Sequence, residues 1–252
     1  MNRSKLYPKV TIITVVFNAK ETLERTILSV KGLDYINVEY IIVDGGSSDG
    51  TLEIIDKYKA IITRWVSEPD NGLYDAMNKG LKLAEGDFVW FVNAGDEVAA
   101  PDVLNRLFDL SSNADIYYGD TVIVDDQGCE IGQRRLSPPE NLNWKDFRRG
   151  MLVSHQSIIV AKDLADYYDL SYRFSADYAW VLNALRKAKL IVNGHLVLSR
   201  FLDGGLTKNN IIPGLKERFR IMIKNYGLLA TLFYHIPIAY RFLRFYIINK
   251  RY

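Results

Sequence analysis

The sequence predicts an α/β fold with a mostly parallel central sheet flanked by helices. In the first hundred residues, apolar β-branched runs alternate with amphipathic helical patterns, and two of the runs end on an aspartate, Asp44 and Asp96. Strands that alternate with helices build parallel sheets through right-handed crossovers, and such sheets bind ligands at the carboxyl ends of their strands. We therefore expect a functional site along that edge.

The first half of the chain gives the alternation in order. The run at 10–17 is rich in Val, Ile and Thr, and in the segment after it Leu23, Ile27 and Val30 share one helical face before Gly32. In the segments that follow, apolar residues recur alternately with the period of a strand, two residues, and with that of a helix, 3.6 residues. These periods predict strands at 40–43, 61–66 and 88–92 and helices at 51–58 and 73–84.

The second half is less regular. Pro101 suits the first position of a helix over 101–110, and an Asp-rich turn at 125–128 separates two strand-like runs. The elements expected after Asp96 are helices at 101–110, 143–149 and 176–187 and strands at 116–124, 130–135 and 153–160.

These patterns suggest one catalytic domain over 1–212 and a helical segment over 213–252. Within the domain, about 1–97 is expected to face a nucleotide and 98–212 to face an acceptor. At 252 residues, with 48% hydrophobic and 25% charged side chains, the chain can build the core that such a domain needs.

Cysteine content and the N-terminus indicate a cellular compartment. The lone Cys129 excludes an internal disulfide and a cysteine-based zinc site, which fits a reducing environment. The first nine residues lack the apolar stretch of a signal peptide. We therefore expect the catalytic body on the cytoplasmic side.

Charge is divided unevenly between the body and the C-terminus. From Pro213 onward, eight Lys and Arg residues stand against the single Glu217, a net charge of +7 beside a mildly acidic body. This split points to an anionic surface rather than to a nucleic-acid groove. The uncharged stretch 226–240 has 15 residues, including Pro237, fewer than the ~20 needed to span a bilayer. A segment lying on an anionic membrane surface is expected, and packing on the body or on a second subunit in a homodimer is the alternative.

The glycine-rich turn at 45–50 invites comparison with phosphate-binding loops. It lacks the Gly-Lys-Ser/Thr ending of a P-loop and the Gly-x-Gly-x-x-Gly spacing of a dinucleotide fingerprint, so an ATPase or a dehydrogenase is not supported. A calcium loop is excluded because Ile55 stands where the twelfth position requires Glu. Alone, the turn is equally consistent with a structural Gly/Ser turn before a helix.

Short motifs follow one another in a fixed order from about Val10 to Thr207. They lie at 14–18, 42–51, 72–80, 84–87, 93–96, 154–156, 174–178 and 204–207. Together they resemble the family 2 inverting glycosyltransferases with the GT-A fold, in the branch that builds bacterial cell-surface polysaccharides. The resemblance implies a UDP-linked sugar donor, a Mg²⁺ or Mn²⁺ ion, and transfer with inversion.

The resemblance assigns the main roles to three carboxylates. Asp44, together with Thr14, is expected to contact the uracil or ribose, for which a carboxylate is a good acceptor. Asp96 is expected to ligate the metal ion that bridges the diphosphate. Asp177 matches the general base that removes the proton from the acceptor hydroxyl. A helix cap or first-turn position is the structural alternative for Asp177, and the two roles are compatible.

Further residues are expected around the donor. Many family members carry arginine where this chain has Met77 and a second acidic residue where it has Gly95, so Asp75 and Lys79 are the expected polar contributors. The set implied by the motifs is Phe17, Asn18, Asp75, Asn78, Lys79, Ala94 and Gly95.

Candidates for contact with the acceptor or the diphosphate are His155, Trp180 and Gly205. A lone histidine is often a satisfied structural residue, and Trp180 could equally fill the core. Trp90 and Phe91 lie inside a strand and are expected in the core.

The function predicted is that of a cytoplasmic, peripheral membrane enzyme. It would move one sugar from a nucleotide donor to a polyprenyl-diphosphate-linked saccharide during O-antigen, capsule or exopolysaccharide synthesis. A sugar-nucleotide pyrophosphorylase is one alternative, although it would need a glycine-rich loop after the first strand, where 18–22 holds no glycine. A non-catalytic nucleotide-sugar-binding scaffold is another, weakened by the presence of all three carboxylates.

Overall fold

The first half of the molecule is a parallel sheet with helical crossovers. The computed structural model describes residues 7–204 and 210–249 and, for 238, 239 and 241–249, the backbone alone. Four parallel strands lie in the order β3-β2-β1-β4 and confirm the expected alternation. The elements are β1 (Val10–Val16), α1 (Lys20–Lys31), β2 (Val38–Asp44), α2 (Thr51–Lys57), β3 (Arg64–Ser67), α3 (Leu73–Leu83) and β4 (Phe88–Phe91).

Burial on both faces explains why β1 and β2 read as continuous apolar runs. Ile13 and Val15 enter one hydrophobic core, whereas Ile12 and Val16 enter the other. Strands covered on both sides need apolar residues at every position rather than at alternate ones. Trp90 and Phe91 are buried in β4 as expected.

The second half extends the same sheet with mixed strand directions. From β4 the order continues β8-β6-β9-β5, with β7 paired to the outer part of β6. Strand β8 is antiparallel to both β4 and β6, whereas β9 is parallel to β6. The elements are β5 (Glu97–Val98), α4 (Val103–Leu110), β6 (Ile116–Val124), β7 (Glu130–Gln133), β8 (Ile158–Ala161), α5 (Ala176–Lys187) and β9 (Ile191–Leu202).

Two expectations for this half are corrected, and two strands, β5 and β9, are new. The strand expected from 153 begins only at Ile158, after a 3₁₀ turn at His155–Ser157, and the helix expected at 143–149 is a 3₁₀ turn at Asp146–Arg149. Strand β9 was not expected from the sequence. It contains Gly194 and His195 with φ 51°, and its register against β6 shifts twice. These irregularities break the alternation by which a strand is recognised.

Two C-terminal helices follow, α6 (Ile211–Tyr226) and α7 (Leu228–Asn249). Ile221 and Met222 of α6 are buried in the main core. The Glu217 carboxylate accepts the backbone N–H groups of Phe174 and Ser175, at 2.8 and 2.9 Å, just before α5 begins. Helix α6 therefore packs with the body, although the proposed domain boundary at 212 stays a prediction. No helix in the described ranges has both the length and the apolarity needed to cross a membrane.

Candidate active site

The turn after β2 is organised by Asp44. Its fully buried carboxylate accepts the backbone N–H groups of Gly46 and Ser47, both at 3.0 Å, and the Ser67 hydroxyl at 2.6 Å. These bonds hold the glycine-rich turn in one shape at the edge of the sheet. The contact of Asp44 with a nucleotide stays a prediction.

Thr14 lies inside the sheet. Its side chain is fully buried, and its hydroxyl donates to the Val92 carbonyl at 2.7 Å and lies 3.1 Å from the Tyr40 hydroxyl. Thr14 therefore ties β1 to the neighbouring strands. Its contact with a nucleotide, like that of Asp44, stays a prediction.

Phe17 forms an exposed aromatic surface where β1 ends. Its side chain is 63% exposed. A Cβ atom on Gly45 would lie 3.4 Å from the Phe17 ring and 2.3 Å from an Asp70 carboxylate oxygen. Only glycine therefore lets the Asp70 carboxylate approach the backbone beside this ring. An aromatic face next to a carboxylate can stack on a planar base and accept its N–H group.

Asn18 joins this surface to the glycine-rich turn. It has a left-handed backbone, φ 48°, which asparagine tolerates better than most residues. Its side-chain oxygen accepts the Ser48 N–H at 2.9 Å, and its own N–H donates to the Ser47 hydroxyl at 2.8 Å. The ends of β1 and β2 are thereby fixed relative to each other.

The polar residues expected from α3 are engaged with the protein itself. The Asn78 side chain donates to the Tyr168 carbonyl at 3.0 Å and accepts the Tyr168 N–H at 2.7 Å. The Lys79 ammonium donates to the Pro69 carbonyl at 2.9 Å. Asp75 accepts a backbone N–H four residues earlier, at 2.9 Å. All three hold neighbouring loops in place, and their direct contact with a donor stays a prediction.

Asp96 lies in the turn that follows β4 and is only 4% exposed. One carboxylate oxygen accepts the Gln156 side-chain amide at 3.0 Å, and the other accepts the Leu202 backbone N–H at 3.1 Å. Burial raises the pKa of Asp96 to about 7, although both hydrogen bonds act in the opposite direction. A nearby cation would offset the cost of holding this carboxylate charged.

The same turn offers oxygen ligands that fit a divalent cation. Besides Asp96, the buried side-chain oxygen of Asn93 has no hydrogen-bond partner among the described residues. No group of three or more His, Cys, Asp or Glu side chains lies together in the described ranges. Mg²⁺ is commonly held by one or two carboxylates together with substrate phosphates and water, so Asp96 with Asn93 is a fitting donor set.

Backbone geometry fixes the turn between Asn93 and Asp96. Gly95 has φ 99°, and a Cβ atom there would lie 2.7 Å from the Leu202 side chain, so glycine is required. The Gly95 N–H donates to the Thr26 hydroxyl at 2.9 Å, and the Ala94 N–H donates to the Val15 carbonyl at 3.2 Å. Ala94 and Gly95 thus shape the site through the main chain.

Asp177 stands in the first turn of α5, whose N-cap residue is Ser175. The Tyr74 hydroxyl donates to Asp177 Oδ1 at 3.1 Å, and the Tyr178 N–H donates to the same oxygen at 2.8 Å. Oδ2 makes no hydrogen bond to any described residue. One oxygen therefore orients the carboxylate, and the other remains available to accept a proton.

A buried set of rings joins the surroundings of Asp96 to Asp177, and we call it the aromatic floor: Tyr74, Phe91, His155, Tyr168 and Trp180. Tyr168 stacks between Tyr74 at 5.5 Å and Trp180 at 5.2 Å, measured between ring centroids. The Tyr168 hydroxyl is hydrogen-bonded to His155 Nε2, and the His155 ring stacks on Phe91 at 5.0 Å. The floor connects the Tyr74 support of Asp177 to the turn that bears Gln156.

The aromatic floor buries His155 and Trp180. They are 4% and 3% exposed, and the Trp180 indole N–H donates to the Asp166 carbonyl at 2.7 Å. Burial lowers the pKa of His155 to about 4, with Asp177 acting in the opposite direction, so its imidazole is neutral at pH 7. Both residues belong to the core, which favours the structural alternative for them, and their contact with an acceptor or a diphosphate stays a prediction. Gly205 lies outside the described residues.

Sequence reasoning missed four side chains that border the site: Asp70, Tyr74, Asn93 and Gln156. Tyr74, Asn93 and Gln156 stand inside the motif segments and next to residues that were chosen. Asp70 follows the end of β3, at the same sheet edge as Asp44. Their positions in the motifs and at the sheet edge could be read from the sequence, but the direction in which each side chain points could not.

The fold places Asp44 and Asp96 at the carboxyl edge of an α/β sheet and Asp177 in the first turn of α5. The family model of glycosyl transferase family 2 matches residues 11–165. The chain therefore belongs to glycosyl transferase family 2 and is a glycosyltransferase. An uncharacterized glycosyltransferase of Mycobacterium tuberculosis is 32% identical over 184 residues, which cover 70% of this chain and 69% of the relative.

Solved structures show the same fold. Residues 1–349 of TarS from S. aureus, in complex with UDP, superpose with a TM-score of 0.67 at 21% identity, covering 87% of this chain and 67% of that one. Glucosyl-3-phosphoglycerate synthase of Mycobacterium tuberculosis, in complex with Mn²⁺, UDP and glucosyl-3-phosphoglycerate, gives 0.62 at 15% identity, covering 90% and 85%. This chain spans about two thirds of the TarS fragment.

Proposed function

We propose that the protein is an inverting glycosyltransferase that moves one sugar from a UDP-linked donor to a lipid-linked saccharide in the synthesis of a surface polysaccharide. The observation that carries this proposal is the support of two carboxylates by one rigid layer. Asp96 accepts a hydrogen bond from Gln156, and Asp177 accepts one from Tyr74. The aromatic floor connects Tyr74 to the turn that contains Gln156. A fixed layer of this kind favours a constant distance between a donor site and a base.

In this proposal Asp177 supplies the base through Oδ2. The acceptor hydroxyl gives its proton to that oxygen as its own oxygen bonds to the anomeric carbon, and the bond between that carbon and the diphosphate oxygen breaks. Attack from the side opposite the leaving group inverts the configuration. General-base assistance of this kind contributes roughly 10²–10⁴-fold to the rate.

Donor binding is assigned to the edge formed by β1, β2 and β4. Phe17 and Asp70 would hold the uracil, and Asp96 with Asn93 would hold Mg²⁺ or Mn²⁺ beside the diphosphate. When bound, the ion neutralises the charge that develops on the leaving group. The UDP complex of TarS and the UDP and Mn²⁺ complex of glucosyl-3-phosphoglycerate synthase support this choice of ligands.

Helix α7 is proposed to bring the enzyme to the cytoplasmic face of an anionic membrane. Five large apolar side chains at its start are exposed, with Leu229 at 83%. An exposed apolar helix face close to basic residues suits a lipid surface. The exposed apolar side chains are Leu228, Leu229, Leu232, Phe233 and Ile236 of α7, and the basic residues are Lys216, Arg220 and Lys224 of α6.

The catalytic proposal is tested by Asp177→Asn. Release of UDP from a panel of UDP-sugars is measured with Mn²⁺, with and without membrane extract as a source of acceptor. We expect the variant to keep UDP affinity and to lose turnover by about 10²-fold or more, because only proton removal is affected. Asp102→Asn, at an exposed carboxylate before α4, is the control and should behave like the wild type. Turnover of Asp177→Asn within a few-fold of the wild type would place the base elsewhere.

A further inference from the structure

Two arginines, Arg134 and Arg218, lie near Asp177. Arg134 follows β7, and its guanidinium donates to the Met151 carbonyl at 3.1 Å. Arg218 of α6 lies 5.3 Å above the ring of Tyr178, the residue after Asp177. Among the described residues neither arginine forms a salt bridge, and the buried Nε of Arg218 has no hydrogen-bond partner.

The two side chains lie within electrostatic reach of each other, and Arg134 is also within reach of Asp177. The loop that contains Phe147 and Met151 links them, since Phe147 accepts the Tyr178 hydroxyl at 2.7 Å and Met151 accepts Arg134. Both arginines are partly buried. Burial, and next the charge of Arg218, lower the pKa of Arg134 to about 10, so the two guanidinium groups are within electrostatic reach of each other.

Two neighbouring cations without a hydrogen-bonded counter-charge are unfavourable unless an anion joins them. Arginine presents a planar fork of N–H donors that matches the oxygens of phosphate and carboxylate groups. The donor edge is built by β1, β2 and β4, whereas Arg134 and Arg218 come from the second half and from α6. The arrangement is therefore suited to the acceptor rather than to the nucleotide.

We propose that Arg134 and Arg218 bind an oxyanion of the acceptor, a phosphate or carboxylate group close to the attacking hydroxyl. This inference rests on the proposed function, in which Asp177 is the base, and it narrows the acceptor to an anionic class. Two sources supply such a group: the diphosphate of a lipid carrier, or the carboxylate of an acidic sugar.

The test uses the full chain with its donor site filled by UDP and Mn²⁺. Binding of inorganic pyrophosphate, farnesyl diphosphate, farnesol and glucuronate is measured by titration calorimetry on the wild type, Arg134→Gln and Arg218→Gln. We expect both variants to bind the anion that the wild type binds with an affinity about tenfold or more lower, because charge-assisted hydrogen bonds are lost. Arg135→Gln removes the same charge from the exposed neighbouring residue and should stay within twofold.

The probes separate the two sources of the anion. Arginine-dependent binding of both diphosphates would support the proposal with a lipid carrier as the source, whereas arginine-dependent binding of glucuronate alone would support it with an acidic sugar. Arg134→Lys keeps a positive charge and most of the packing but loses the forked N–H donors, so its affinity for the anion should lie between those of the wild type and Arg134→Gln. This variant also serves as a control in case Arg134→Gln does not fold.

Three results would overturn the proposal. The wild type could bind none of the anions, the variants could bind them as the wild type does, or the variants could lose UDP affinity by the same factor, which would assign the arginines to the donor. The titration of UDP alone is read separately. A wild type that does not bind UDP would contradict the proposed function, while anion binding to the unliganded protein would still report on Arg134 and Arg218.

Discussion

Asp96 is the residue through which a cation and a nucleotide would be coupled. Asp96→Asn keeps the size of the side chain and its acceptor for the Leu202 N–H but removes the charge. We expect Mn²⁺ to strengthen UDP binding by about tenfold or more in the wild type, and the variant to lose most of that gain. Calorimetric titration of UDP in Mn²⁺ and in EDTA measures both quantities. Equal UDP affinity of the wild type in the two buffers would remove the metal ion from the donor site.

We propose that Tyr74 positions Asp177, the proposed base, because its hydroxyl donates to Asp177 Oδ1. Tyr74→Phe should lower kcat by about tenfold while leaving UDP affinity unchanged, since a hydrogen bond to a charged group is lost. Tyr168→Phe is the matched control. It removes a hydroxyl from the ring stacked on Tyr74, but that hydroxyl bonds to His155 and not to Asp177. Steady-state kinetics that show the same loss in both variants would mean that the stack, not the hydrogen bond, sets the rate.

At the scale of residues, the sequence predicted where the candidate carboxylates lie in the fold better than it predicted which contacts they make. Asp44 ends β2, Asp96 follows β4 and Asp177 stands in the first turn of α5, as expected, because strand ends and helix starts are legible as patterns. The burial of Thr14 and His155 was not predicted because a motif does not say which way a side chain points. In β1 the alternation that would reveal this direction is hidden by burial on both faces.

At the scale of elements, the C-terminal helices divide the tail into a packed part and an exposed part. Helix α6 contributes Met222 to the core, and its Glu217 binds the backbone ahead of α5. Cutting the chain after 212 would therefore remove support from the segment that leads to Asp177. Membrane binding is better tested with the full chain and substitutions on α7.

Substitution of two exposed residues, Leu229→Asp with Phe233→Asp, should abolish binding to vesicles that contain anionic lipid while UDP binding persists. The charged side chains oppose insertion of the apolar face into the lipid interface. Vesicle co-sedimentation measures this, and wild-type binding should weaken at high salt because the attraction of the basic residues is screened. Ile36→Asp, at an 87% exposed position on the body, is the control.

Two outcomes would argue against a lipid partner for α7. The wild type could ignore anionic vesicles, or light scattering could show a dimer that the double variant dissociates. In the second case the exposed face of α7 would be a contact between two copies of the chain. The assignment of the catalytic residues would not change.

The elements themselves were predictable where the chain repeats a simple unit. The alternation through β4 was correct because each parallel strand must be followed by a crossover of predictable length. Strand β9 was missed, and β5 with only two residues was too short to recognise. Both lie where strand direction becomes mixed and the pairing depends on distant segments rather than on local pattern.

At the scale of the whole molecule, the buried His155 links folding to pH. Its pKa is about 4 in the folded protein and about 6.5 in an unfolded chain, so the unfolded state takes up the proton first as the pH falls. His155 should therefore lower the free energy of unfolding by up to about 3 kcal/mol as the pH falls from 6.5 to 4, and it should have no effect above pH 6.5. The raised pKa of Asp96 acts in the opposite direction as the pH falls, so the contribution of His155 is obtained from the difference between the wild type and a His155 variant. The groups that face the imidazole are Asp177, Tyr168, Phe91 and Trp180.

Denaturant unfolding at several pH values tests this linkage. His155→Asn should lose less stability than the wild type between pH 7 and pH 4.5, whatever its stability at pH 7. His195→Asn alters an exposed histidine with a left-handed backbone that asparagine tolerates, and it should follow the wild-type pH dependence. If stability falls with pH equally in the wild type and in His155→Asn, the pKa of His155 is the same in the folded and unfolded states, and the predicted linkage is wrong.

The aromatic floor also has an evolutionary consequence. It supports Asp177 through buried rings, whereas the stretch at 135–141 has no helix or strand and no buried side chain. Packed rings tolerate few replacements, but exposed loops accept substitutions and insertions at little cost in stability. Under the acceptor role proposed for the neighbouring Arg134, descendants of one ancestral enzyme could therefore acquire new acceptors by altering this stretch while inheriting Asp96 and Asp177 unchanged.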